Sequence, residues 1–426
     1  MHRLLFLLPL VSCTFEVSNQ VFSDPEDEAA DTAASQRCGA LTLAAEGTFV
    51  RQGDAVQGWR GQCEVAVHAS AGAGGSRVSV RLPDWSGQSA ARVRVLDLLG
   101  QDLHSPAVLE PGESVPVDLV QSGEFFVHLE PVDLDEPGHA YAVGVQCVQG
   151  CDLEFTRYPL VLVHGAAPAD YVSLFQYFYG VREHLQERGY LVVTPAVDPF
   201  ASTEQRCAQW SDHLDTLVDD GVGRRFDLIG HSQGGTDARY LTSRLAYGDE
   251  VAAVITVAAP HRGSAVADVA SGLVDVTPFG QELVDAAVDG LAALLGLPPQ
   301  DAVGALASLT TEAMADFNAT TPDVPGVYYA SWAGRSCGVL DLYCQRQTGG
   351  EVVAVYLGAT FTLLSIAAGD NDGMVPVSSA QWGAYMGEIP ADHMDSVGQV
   401  VDAVNPVFDH RAFYLSEARR LAALGL

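Results

Sequence analysis

The first chemical signal in the chain is Gly230-His231-Ser232-Gln233-Gly234. A serine flanked in this way suits a sharp strand-to-helix turn, because a side chain at either glycine would crowd the hydroxyl. Phe226-Asp227-Leu228-Ile229 ahead of it reads as a buried strand, and Thr236 to Leu241 after it is compatible with a helix. Such a turn lifts Ser232 Oγ above a sheet, beside a helix N-terminus whose dipole favours a developing oxyanion. A serine hydroxyl is a weak nucleophile until a base takes its proton, and that base needs an orienting carboxylate. In this arrangement both follow the serine, acid first. His261, His393 and His410 are the histidines after Ser232. His261, in Ala259-Pro260-His261-Arg262-Gly263-Ser264, precedes any suitable acid and is read as shaping a pocket wall. His410, near a C-terminal helix, is read as structural. His393 is therefore the expected base. Asp372, in the turn Gly369-Asp370-Asn371-Asp372-Gly373, is the expected acid, with Asp370 as its alternative. The oxyanion needs backbone donors. The N–H of Gln233 is one, and the N–H of Ala166, in the loop after Leu160–Val163, is the other. His164 in that loop is read as structural. The chemistry these residues fit is acyl transfer through a covalent serine intermediate.

Elements able to position them lie in the second part of the chain. Leu160 to Val163, Leu191 to Thr194, Phe226 to Ile229 and Val251 to Ala258 are buried-strand runs, separated by helical stretches such as Phe175 to Arg188 and Ala208 to Asp220. This alternation predicts a parallel sheet with crossover helices, an α/β domain spanning about 155–426. Residues 38–150 read differently. Arg77 to Leu82, Arg92 to Val95, Glu124 to Leu129 and Tyr141 to Val145 alternate polar with apolar residues, as half-buried strands do. They predict a small β-sandwich, to which no chemistry is assigned. Between about 265 and 309, Leu283, Val284, Ala287, Val288, Leu291, Leu294 and Leu295 recur at helical spacing. The stripe fits either a mobile lid or a core-facing helix.

Net charge is −32, and all 22 basic residues among the 426 are arginine. A field of this sign repels phosphate backbones, which excludes nucleic acid as a partner. Arg3, the apolar run Leu4 to Val11 and then Ser12-Cys13 read as a short export signal over residues 1–12. Leu10-Val11-Ser12-Cys13 also resembles a bacterial lipobox, which would make Cys13 a lipid anchor; an ordinary secretory signal is the alternative. The acidic stretch 13–37 reads as a disordered tether. The expected location is therefore outside the cytoplasm, as an outer-membrane or cell-surface lipoprotein or a secreted protein. In an oxidising compartment the remaining seven cysteines are read first as disulfides. Cys337 with Cys344 would close a small loop, Cys38, Cys63, Cys147 and Cys151 could form two bridges, and Cys207 is the expected odd thiol.

Several of these runs together resemble the secreted bacterial triacylglycerol lipases of the Pseudomonas and Burkholderia type, within the α/β-hydrolases. The resemblance rests on Tyr158-Pro159 with Val161 to Gly165, Tyr177-x-Tyr179-Gly180, Leu228 to Gly235, Pro260 to Ser264, and Leu309 to Thr311 with Phe317-Asn318. It continues through Tyr329-x-Ser331-Trp332, Asn371-Asp372-Gly373 and His393-x-Asp395. It implies an α/β-hydrolase fold with a helical lid, a lipid or other acyl-ester substrate met at a lipid–water interface, and no organic cofactor. It further implies the triad Ser232, Asp372 and His393, with oxyanion donors at Ala166 and Gln233. It also implies one structural calcium ion that anchors the histidine loop. Asp395 matches one carboxylate ligand, Gln399 and Ala403 match the carbonyl ligands, and Asp341 is the candidate for the second carboxylate. All-oxygen ligands suit this hard cation. The family's half-cystine after the acid is replaced by Ser378, and the N-terminal sandwich is foreign to the pattern. A short-chain esterase, a polyester depolymerase or an acyltransferase would share the same triad. A catalytically inert surface binding module is the reading from another class.

Overall fold

The computed structural model describes residues 36–426 apart from breaks at 43–48, 52–62, 70, 72–74, 83–89, 121, 133–142, 151–153, 167–176, 273–279, 299–305 and 400–406. The expected signal and most of the expected tether, residues 1–35, lie outside the described residues, as does Ala403.

Residues 36–149 form two sheets. One has the order β1 (Gln36–Thr42), β3 (Cys63–Ala69), β8 (Gly123–Pro131), β5 (Ala91–Leu96), β6 (Asp102–Leu109). The other has the order β2 (Phe49–Arg51), β9 (Gly144–Gln149), β4 (Ser76–Arg81), β7 (Ser114–Leu119). All pairings are antiparallel except β1 with β3. Alternate residues of both sheets (Val78 and Val80, Val93 and Val95, Val127 and Leu129, Val145) meet in one apolar layer, as a period of two requires. This region abuts the next through Ser122, whose hydroxyl donates to the Gly189 carbonyl (2.6 Å), and through Arg224, which donates to Leu98 O (3.1 Å).

Beyond it lies a six-stranded, all-parallel sheet of order β11 (Val192–Val193), β10 (Leu160–Val163), β12 (Phe226–His231), β13 (Val251–Val257), β14 (Tyr328–Gly334), β15 (Ala384–Ile389). Its central strands are buried on both faces and hence mostly apolar, with Asp227, His231 and Thr256 as the polar exceptions. Leu160 and Leu162 face α1 (Val181–Gln186) and α9 (His410–Leu424), where Leu185, Tyr414 and Leu421 pack. Val161 and Val163 face α2 (Thr203–Asp219) and α3 (Gln233–Arg244), with Trp210, Leu214 and Leu241. A capping box between Ser202 and Gln205 starts α2.

A third apolar group lies over the site. Helices α4 (Ala265–Ala270), α5 (Gln281–Leu295), α6 (Thr311–Thr320) and α8 (Gly358–Ala367) gather Val266, Val284, Ala287, Leu291, Leu295, Met314, Leu363 and Leu364, with Ala166 against them. Of the stripe read from sequence on α5, Val284, Ala287, Leu291 and Leu295 face inward here and Leu283 packs against them. A short helix, α7 (Leu342–Thr348), follows a loop closed by the disulfide Cys337–Cys344. Cys207 is a free, buried thiol and Cys147 is disulfide-bonded.

Candidate functional site

Strand β12 ends at His231 and α3 begins at Gln233, so Ser232 alone makes the turn, at φ 55°. A non-glycine residue in that region is strained by roughly 1–3 kcal/mol and persists only where its surroundings hold it. The glycines show how tight the surroundings are. A Cβ at Gly234 would lie 2.1 Å from Val163 O, and one at Gly230 would lie 2.6 Å from Gly234 O. One at Gly165 would lie 2.8 Å from Ser232 Cβ, so the backbone leading into Ala166 passes directly beside the hydroxyl. Gln233 is the first helical residue, and its N–H belongs to the four that no helix can satisfy internally.

Ser232 Oγ donates to His393 Nε2 at 2.9 Å, and His393 Nδ1–H donates to Asp372 Oδ2 at 2.8 Å. The His393 N–H also donates to Asp372 O (2.8 Å). Asp372 Oδ1 is occupied by the N–H groups of Met374 (2.9 Å) and Val375 (2.6 Å), which fixes the plane of the carboxylate. The structure thus brings together three residues 161 and 21 positions apart in a single hydrogen-bonded chain, with Ser232 only 9% exposed. A hydroxyl, an imidazole and a carboxylate so arranged can move a proton off the serine and hold the resulting imidazolium. Asp370 is elsewhere. It pairs with Arg335 at 3.3 Å near the surface, away from the imidazole.

Behind the turn lies a polar chain that sequence reading did not anticipate. Ser396 Oγ–H donates to the His393 carbonyl (2.7 Å), so it accepts from His231 Nε2–H (2.8 Å). His231 Nδ1 is left to accept from the Tyr177 hydroxyl (2.7 Å). Burial holds His231 neutral, its pKa pushed well below the ordinary histidine value. The sequence signals were His231 inside the serine motif and Tyr177 in the run Tyr177-x-Tyr179-Gly180, with nothing to join them. Gln399 joins this region through its side chain, which donates to Tyr177 O (2.7 Å).

Other histidines have settled roles. His164 Nε2 accepts from Val197 N–H (3.0 Å) and Nδ1 donates to Gly165 O (2.8 Å); burial lowers its pKa to about 3. His261 does not shape a pocket wall. It is fully buried between Thr256 Oγ1 (2.9 Å) and Arg239 Nη1 (3.2 Å), with its carbonyl accepting from Asn318, so it is a core residue. His410 Nε2 bonds Tyr179 O (2.8 Å) at the start of α9. Under the site, Arg206 and Asp237 form a fully buried ion pair (2.7 Å), and Arg206 also donates to the His164 carbonyl (2.6 Å).

With this geometry stand the likenesses to known proteins. Residues 159–289 match the palmitoyl protein thioesterase family model. A triacylglycerol lipase of Vibrio cholerae is 30% identical over 295 residues, 64% of this chain and 89% of that protein. Another from Pseudomonas fragi is 30% identical over 300 residues, 64% of this chain and 98% of that one. The chain belongs to the bacterial triacylglycerol lipase family. This lipase is an α/β-hydrolase and a carboxylic ester hydrolase. A Bacillus licheniformis lipase in mature form is also similar, at 22% identity and TM-score 0.46 over 62% of this chain and 92% of that one.

Of the expected metal ligands, Asp395 is the one that lies in a carboxylate cluster among the described residues, and its companions there were not expected. Carboxylate oxygens of Glu351, Asp392 and Asp395 lie within 4.8 Å of one another, just beside His393. Asp341 is not among them. It is exposed, and its Oδ1 caps α7 by accepting from Cys344 N–H (2.9 Å), so it already serves the helix end. Glu351, which lies in the cluster, is 2% exposed. Asp392 accepts from the N–H groups of Ala354, Met394 and Asp395, which organises the turn that carries His393. Burial raises its pKa, and the nearby Asp372 raises it further.

Proposed function

We propose that this enzyme hydrolyses the acyl esters of triacylglycerol through an acyl-serine at Ser232. The observation that carries the reading is the chain from Ser232 through His393 to Asp372 at the start of α3. Ser232 Oγ attacks the ester carbonyl as its proton passes to His393 Nε2. The same proton then goes to the departing alcohol. Water, deprotonated by His393, attacks the acyl-serine and releases the fatty acid and the free hydroxyl. Asp372 holds the imidazole in the tautomer that presents Nε2 to the serine. The N–H groups of Gln233 and Ala166 are the oxyanion donors, the former by its place at N1, the latter by the close pass of Gly165 beside Ser232.

Calcium is the proposed cation at Glu351 and Asp395, with Asp392 bracing the turn. Three carboxylates this close repel one another unless protonated or joined by a cation, and all-oxygen donors suit this ion. Bound there, it would supply charge compensation that keeps the His393 turn in place. Helix α5 is proposed to move as a lid. Support comes from the low exposure of Ser232 and from Ala166 packing against the α5 group. Export to an oxidising compartment, with Cys13 as a lipid anchor, is proposed on the leader sequence and the Cys337–Cys344 bridge.

The test is a panel of p-nitrophenyl esters, triacylglycerols and an acyl thioester, assayed with and without chelator. Hydrolysis of emulsified long-chain triacylglycerol is expected. Turnover of only soluble short-chain esters would replace the lipid substrate with a soluble one, and no turnover would refute the reading.

A further inference from the structure

Fold stability does not account for a set of exposed apolar side chains. Leu340 is 92% exposed, Val355 94% and Tyr343 73%, and Val339, Leu342 and Ile366 are also more than half exposed. The segment presenting four of these is rigidly built. The Cys337–Cys344 bridge closes it, Asp341 caps α7, and the Gln345 amide donates to the Gly338 and Val339 carbonyls (2.9 Å each). Across an open groove lined by Val339, Leu340 and Phe361, with Asp341, Ser365 and Asp370 as its polar rim, stands α8, which carries the exposed Ile366.

The inner side of this same block belongs to the site. Ser336 N–H donates to the carbonyl of Asn371, the neighbour of Asp372 (3.0 Å). Met394, next to His393, packs with Val353 and Leu357. Leu363 and Leu364 of α8 pack with the covering helix α5, and Gly290 of α5 sits against the Tyr356 carbonyl. The apolar surface is thus continuous with the elements that cover Ser232.

We propose that the disulfide-closed segment 338–343, with Val355 and Ile366, seats this enzyme on the surface of neutral lipid. The lipid occupant is favoured by the chemistry. The protruding residues are aliphatic, joined by one tyrosine, whose apolar ring and polar hydroxyl suit a lipid–water boundary. Segment 336–344 carries one exposed acid, Asp341, and no base, and the chain carries a charge of −32, so an anionic surface is disfavoured. Leu340 and Val355 stand out almost wholly from the surface, as insertion requires and a flat protein contact does not. The proposal rests on the lipase reading above and names the partner that reading needs.

The test compares full-length enzyme with a Val339→Ser/Leu340→Ser/Tyr343→Ser variant and, separately, a Val355→Ser/Ile366→Ser variant. Adsorption is measured by flotation with phosphatidylcholine-coated triolein droplets, and turnover is measured on soluble p-nitrophenyl acetate. Loss of three exposed apolar side chains is expected to weaken adsorption roughly 10- to 100-fold, and the double variant by less. Turnover of the soluble ester should stay within about twofold. Adsorption unchanged in both variants would overturn the proposal. So would preference for phosphatidylglycerol-coated droplets, or a dimer seen by light scattering that the triple variant abolishes. If the triple variant fails to fold, the double variant decides. Wild-type enzyme that adsorbs but hydrolyses no ester would sink the functional reading and leave this surface intact.

Discussion

Replacing Asp372 by Asn isolates the orienting role of the carboxylate. Its Oδ1 accepts from two backbone N–H groups, Met374 at 2.9 Å and Val375 at 2.6 Å, and its Oδ2 accepts from His393 Nδ1–H at 2.8 Å. An asparagine amide can fit this slot in one orientation only. Turning its NH2 toward Met374 and Val375 would set donors against donors in a fully buried place. The NH2 must therefore face His393 Nδ1, which forces that nitrogen to accept and puts the ring proton on Nε2. The proton on Nε2 then faces Ser232 Oγ, and the base is gone although every heavy atom keeps its position. The expected loss in kcat is about 10⁴-fold, equal to about 5.5 kcal/mol of barrier. The assay is kcat on p-nitrophenyl butyrate, with melting temperature as the control for folding. Asp370→Asn is the comparison; its partner Arg335 lies near the surface, so activity should change less than about threefold. A loss under tenfold in Asp372→Asn with a normal melting curve would refute the orienting argument, and a collapse in Asp370→Asn would reassign the acid.

Arg206→Met strands the fully buried Asp237 and should cost about 3–5 kcal/mol in denaturant unfolding; adding Asp237→Leu should recover part of it. His164, with its pKa lowered to about 3 by burial, binds a proton only on unfolding. Its contribution is full above the unfolded value near 6.5 and is lost as pH falls, so His164→Gln should flatten the acid limb of stability by about 2 kcal/mol between pH 6.5 and 5. A steeper limb in that variant would contradict the sign. Adding calcium at about 100-fold its Kd should raise stability by about 2.7 kcal/mol, and Glu351→Gln should remove most of that increment in calorimetry.

The serine motif and the order of acid and base were legible because each is local: a short run with its own strand and helix signals. Strands β4, β5 and β8 showed as alternation, and β10, β12 and β13 as apolar runs. Strand β14, Tyr-Tyr-Ala-Ser-Trp-Ala-Gly, mixes small and large residues without a clean period, and the edge strand β15 is half exposed; neither had a pattern to read. Asp341 stands apart from the carboxylate cluster beside His393 because that cluster depends on how 335–357 folds. The Cys337–Cys344 bridge turns Asp341 outward to cap α7, and the chain returns only at Glu351. His261 was misread because its partner Arg239 lies 22 residues back on α3, a pairing only the tertiary fold creates. The exposed side chains of Val339, Leu340, Leu342 and Tyr343 look like core residues in sequence, and burial alone distinguishes them.

The central claim is that Ser232 is the nucleophile. Its most direct test is reaction of the intact enzyme with a fluorophosphonate, followed by peptide mass spectrometry. A single adduct on the peptide containing Ser232, absent from Ser232→Ala and slowed in Asp372→Asn, is the predicted result. A folded enzyme that takes up no label, or takes it on another residue, would contradict the account.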